Sequence, residues 1–177
     1  MTATSTDRIE KQVELNAPGS RVWRAITDYK QFGAWFGATL ESPFVAGQTT
    51  VGRINIPAYE HIPMELAVES IEPETLFSFR WHPYAIDPAV DYSGEPTTLV
   101  EFRLSEVAGG TLLTVSESGF DALPAGRRDE AFRMDESGWS SQVRNIEKYV
   151  RAHASRSAAR SVDKSVDLGG RRIIKKK

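Results

Sequence analysis

The sequence predicts one α+β domain in which a curved antiparallel sheet wraps around a long C-terminal helix. Three observations predict it. Strand-like segments follow one another through the middle of the chain with no long helix between them, which favours antiparallel pairing. Two short helical segments sit after the first strand. Near the end, Phe132, Glu136, Trp139, Val143, Ile146 and Val150 recur every three or four residues, an apolar stripe of roughly seven turns broken by one acid.

The elements follow in order. Arg8 to Leu15 alternates loosely, with Ile9, Val13 and Leu15 apolar, and reads as the first strand. Pro18 suits a helix start, and Val22, Trp23, Ala25 and Ile26 carry a short helix to about Asp28. A second short helix is expected over Gln31 to Phe36, before Gly37. Strands are then expected at Val51 to Ile56, Met64 to Ile71, Thr75 to Trp81, Thr97 to Ser105 and Thr111 to Ser118. Gly109-Gly110 marks the hairpin between the last two. The long helix is expected from Ala125 to Ala152, with Gly138 a weak point inside it. Between Trp81 and Thr97 lies an irregular loop holding three prolines, a kind of segment that often carries function.

Of 177 residues, 40% are hydrophobic and 26% charged, the profile of a globular domain. There is no cysteine, which excludes disulfides, thiolate metal sites, cysteine nucleophiles and iron–sulfur clusters. The first seven residues lack the apolar core of a signal peptide, and no apolar run is long enough to span a bilayer, so a cytoplasmic location is expected. From Arg151 to Lys177 nine basic and two acidic residues give +7, leaving −9 on the rest. So acidic a body is a poor surface for nucleic acid. Residues 154–177 read as a basic, disordered tail behind a domain spanning residues 8–153.

Several local strings carry a family resemblance. They are Val22-Trp23-Arg24-Ala25-Ile26-Thr27-Asp28, Phe32-Gly33-Ala34-Trp35-Phe36, Ile71-Glu72-Pro73-Glu74 with Leu76-Phe77-Ser78-Phe79, Gly110 to Val115 with Glu117-Ser118-Gly119-Phe120, and Gly138-Trp139. In this order the chain resembles the START-like, or SRPBCC, superfamily, and within it the branch named for the C-terminal domain of the activator of Hsp90 ATPase. The resemblance implies a helix-grip fold with a deep pocket between sheet and long helix. It implies no single activity, since members bind lipids, sterols, polyketides or plant hormones and some are cyclases or aromatases. The Hsp90-activating member carries a further N-terminal domain that finds no room here, which makes an Hsp90-type chaperone the less favoured partner.

Glu117 is the most informative single position. Strand alternation places it inward with Leu113 and Val115. A buried carboxylate must be paired, hydrogen-bonded or protonated. It would orient a ligand or act as a base, or, more plainly, hydrogen-bond the loop backbone near Gly119. On the long helix, either Glu136 or its neighbour Asp135 is a candidate to enter the pocket, the plainer role for Glu136 being solvation or a pair with Arg133. His82 and Tyr84 stand on the long loop, and His61 with Tyr59 on the connection from Pro57 to Pro63. Phe79, Trp81, Phe102, Phe132 and Trp139 are the aromatic candidates for the pocket wall. The three histidines show no metal-ligand spacing, and neither a Gly-rich phosphate loop nor GxSxG occurs, so no metal and no cofactor is expected.

The expected function is therefore an intracellular domain binding a small hydrophobic or aromatic ligand. Two alternatives stand beside it. One is a cyclase-, aromatase- or hydrolase-like enzyme using Glu117 with His82 or His61. The other is a protein-interaction module resembling the Hsp90 activator.

Overall fold

The computed structural model describes residues 7–170, with side chains as far as residue 152. The elements are β1 (Arg8–Leu15), α1 (Gly19–Thr27), α2 (Tyr29–Phe36), β2 (Ala38–Leu40), β3 (Thr49–Ile54), β4 (Pro63–Glu72), β5 (Leu76–Trp81), β6 (Thr98–Val107), β7 (Gly110–Ser118), a single 3-10 turn (Phe120–Ala122) and α3 (Ala125–Gly170). The seven strands form one antiparallel sheet in the order β1-β7-β6-β5-β4-β3-β2. This is the α+β architecture the sequence predicts, with two additions. β2 is too short for alternation to reveal, and its three residues are held by pairing Ala38 to Ile54 and Leu40 to Gly52. The backbone of α3 runs on past Ala152 to Gly170. The expected tail at 154–177 has no described side chains, and residues 171–177 lie outside the described residues.

Local chemistry sets the first turnings. Pro18 is the N-cap of α1 rather than its first helical residue. Asp28 ends α1 and starts α2, its carboxylate accepting from the backbone N–H of Lys30 and Gln31, so two helices meet at one residue. Gly37 closes α2 in the left-handed region at φ 94°, a conformation open to glycine at little cost.

These turnings place Phe32 at the middle of the core. Its ring lies within 6.2 Å of those of Trp35, Phe36, Phe44, Phe79 and Phe102, and it is wholly buried. The inward faces of β5, β6 and β7 supply Phe77, Phe79, Val100, Phe102, Leu113 and Val115. From the other side α3 contributes Trp139, Ile146 and Val150. Truncating a ring packed this way to alanine costs about 3–5 kcal/mol. Gln142 donates to the Phe36 carbonyl at 2.8 Å, which fixes α3 against the end of α2.

Candidate functional site

The core does not fill the space at one end of the sheet. A cavity of about 600 Å³ opens there, walled by Phe36 at the end of α2, Ile54, Ile56, Tyr59, Ile62 and Met64 around the β3–β4 turn, Trp81, His82 and Tyr84 at and after the end of β5, and Asp135 and Gly138 on α3. The loop after β5 completes the rim with Ala85, Ile86, Val90 and Tyr92. Apolar groups at the mouth are open to solvent, Ile56 at 44%, Tyr59 at 52% and Val90 at 44%.

Beneath the cavity lies Glu117, wholly buried. Alternation placed it inward correctly, but its partners are side chains and not the backbone near Gly119. The indole N–H of Trp81 donates to Oε2 and that of Trp139 to Oε1, both at 2.8 Å. The Thr98 hydroxyl donates to Oε2 at 2.5 Å. Three donors thus satisfy a charge that burial would otherwise penalise.

Between Asp135 and Glu136, the structure selects Asp135 for the cavity wall. Its Oδ2 is buried, with no donor of the described residues directed at it. Burial pushes the Asp135 carboxyl well above the usual carboxylate range, and the charge of Glu117 and a hydrogen bond to it push the same way, against a smaller opposing pull from Arg127. Two adjoining buried carboxyls disfavour a second negative charge, which is the sense of this shift. Glu136 turns outward and pairs with Lys11 at 2.9 Å, not with Arg133.

The remaining candidates separate into three groups. Trp81, His82 and Tyr84 line the cavity. Phe79 and Phe102 are wholly buried behind it, while Phe132 packs edge-on against Phe120 at 5.2 Å. His61 is exposed and stands outside the cavity wall, although its neighbours Tyr59 and Ile62 are in it. His82 Nε2 lies 3.1 Å from the Glu95 carbonyl and must donate to it, since a carbonyl only accepts. Among the described residues no hydrogen bond joins Glu117 to either histidine, and no cluster of metal-ligating side chains occurs.

Arg127 is a residue that sequence reasoning missed. It donates from Nε to Glu95 at 2.9 Å and from its two terminal nitrogens to the carbonyls of Tyr84 and Pro83 at 3.0 and 2.9 Å. Its guanidinium also lies 4.7 Å from the centre of the Tyr92 ring. One side chain of α3 thereby holds both ends of the rim loop, including Tyr84 at φ 51°, a conformation unfavourable for a bulky residue. On the same rim Asp91 is held below the usual carboxylate range by hydrogen bonds from the backbone and side chain of Ser93, with His82 adding a smaller pull.

A curved sheet on a long helix, with a cavity at the end the helix leaves open, defines a START-like helix-grip domain. The chain matches the family described as activator of Hsp90 ATPase homolog 1-like protein over residues 16–151, and it belongs to that family. No curated protein matches it. Solved structures share the fold. DynU16, a protein of the dynemicin biosynthetic locus, is 25% identical with a TM-score of 0.63 over 82% of this chain and 47% of that one. The chain thus spans about half of DynU16. A protein from Arthrobacter aurescens is 16% identical with a TM-score of 0.69, covering 85% of this chain and 90% of that one. CalU16 from Micromonospora echinospora is 21% identical with a TM-score of 0.56, covering 84% and 79%. Among the described residues no helix is long and apolar enough to cross a membrane.

Proposed function

We propose that this domain binds a small, largely apolar molecule, inside the cell, in the cavity between α3, the end of β5 and the two loops that face each other across its mouth. The observation that carries this reading is the cavity itself. Its volume of about 600 Å³ lies within the range of small-molecule sites, and aromatic and aliphatic walls surround a few polar groups. The resemblance to proteins such as DynU16 and CalU16 is compatible with a ligand-holding role.

Gly138 provides the test. A Cβ built there meets nothing within 4 Å, so a larger side chain extends into open space in the cavity wall instead of colliding with the fold. Phenylnaphthylamine, uncharged at neutral pH and fluorescent in apolar surroundings, is the probe. The parent protein is expected to enhance its emission saturably, and Gly138→Leu to weaken binding by about tenfold, or about 1.4 kcal/mol, with an unchanged circular dichroism spectrum. No enhancement by the parent protein, or equal binding by the folded variant, would refute the reading.

A further inference from the structure

The cavity wall carries charge of one sign. Besides three tyrosines its ionisable residues are Glu65, Asp91, Asp135 and His82, and it contains no lysine or arginine. The guanidinium that acts on Asp135, that of Arg127, is already committed to Glu95, to two backbone carbonyls and to the Tyr92 ring. The indole N–H groups of Trp81 and Trp139, which an anionic ligand could have used, are both turned to Glu117. A carboxylate or phosphate entering this space would meet acids and no free cationic partner. An ammonium would meet the reverse: acceptors at the floor, and the rings of Phe36, Tyr59, Trp81, Tyr84 and Tyr92 in the walls.

Asp135 stands in the cavity wall, and the group it hydrogen-bonds, Glu117, is another acceptor. Resting on the binding reading above, we propose that the ligand is a lipophilic amine whose protonated nitrogen sits against Asp135 while its apolar body lies among the aromatic walls, and that acids of the same shape are excluded. Any proton on Asp135 leaves to solvent as the ammonium arrives, so charge is conserved at the floor. The net charge of −9 on the first 150 residues favours the approach of a cation in the same sense.

Three compounds with one skeleton test this: naphthylmethylamine, naphthylmethanol and naphthoic acid, each competing with phenylnaphthylamine at neutral pH. The amine is expected to bind at least about tenfold more tightly than the acid, with the alcohol between them. Asp135→Asn retains a donor toward Glu117 but cannot become an anion, so it should bring the amine down to the level of the alcohol. Glu136→Gln, one residue along the helix and outside the cavity, should leave the order intact. An acid that binds as well as the amine, or an amine preference that survives Asp135→Asn, overturns the inference while leaving the cavity reading standing. Failure of phenylnaphthylamine itself to bind the parent protein overturns both.

Discussion

The indoles of Trp81 and Trp139 lie stacked, ring centroids 5.9 Å apart and planes 30° from parallel, and each gives its N–H to a different oxygen of Glu117. One residue comes from the end of β5 and the other from α3, so the carboxylate ties sheet to helix at the floor of the cavity. Glu117→Gln keeps the shape but replaces one acceptor by an amide donor, leaving at least one buried N–H or O–H without a partner. That costs about 1–3 kcal/mol. For a chain of this length the melting temperature should fall by about 2–4 °C for each kcal/mol, as read by calorimetry at neutral pH. An unchanged melting temperature would show that the three donors do not need the charge.

Asp135 makes stability depend on pH with a definite sign. In the unfolded chain it ionises near its ordinary value of 3.8, whereas in the folded domain burial and Glu117 keep it protonated to higher pH. The folded state is therefore favoured below about pH 4 and progressively penalised as pH rises toward the elevated folded value. Asp135→Asn removes the titration. The melting temperature of the variant relative to the parent should climb from about pH 4 upward and level off once Asp135 ionises in the folded state. A difference that is flat between pH 3.5 and 8 would contradict the upward shift of Asp135.

Arg127 holds the rim loop by hydrogen bonds that a shorter or unbranched cation cannot reproduce together. Arg127→Ala should accelerate amide hydrogen exchange in residues 83–95 by about tenfold or more, with much less effect on the strands. Arg127→Lys should restore little of the protection, because lysine lacks the planar fork that serves Glu95, Pro83 and Tyr84 at once. Equal exchange in parent and alanine variant would remove Arg127 from this role.

Two glycines should respond to alanine in opposite directions. At Gly138 the new methyl meets open space within a helix, so Gly138→Ala should stabilise by about 0.5–1 kcal/mol. At Gly52 it would lie 2.1 Å from the Thr39 carbonyl oxygen, where β3 pairs with β2, and no side-chain rotation relieves a backbone contact. Gly52→Ala should cost about 1–3 kcal/mol or more. Urea denaturation of both variants measures the contrast.

The sheet and long helix were legible because their periods repeat over many residues. Alternation along β7 was enough to send Glu117 inward. Its partners were not legible, since Trp81 and Trp139 stand 36 and 22 residues away and meet it only through the curvature of the sheet and the placement of α3. The choice between Asp135 and Glu136 turns on about 100° of helix rotation, and the apolar stripe favoured Glu136 by simple spacing. The packed helix instead presents Asp135 to the cavity and Glu136 to Lys11 on β1. Phe132 looked like a wall residue for the same reason, but the 3-10 turn brings Phe120 over it. Arg127 gave no signal at all, because its value lies in three acceptors on a loop more than 30 residues earlier in the chain.

The place of β1 has a consequence for the order of events on the ribosome. The first strand has a single neighbour in the sheet, β7, with Arg8 opposite Ser118 and Leu15 opposite Thr111. The hairpins from β2 to β7 close over short distances, but β1 has nothing to dock on until about 100 further residues have followed it. Until then an amphipathic strand waits in the open and, once β7 emerges, two nascent chains on one messenger each present the edge that the other's β1 would fit. Exchange of first strands between neighbouring copies is thus the misassembly this topology must outrun.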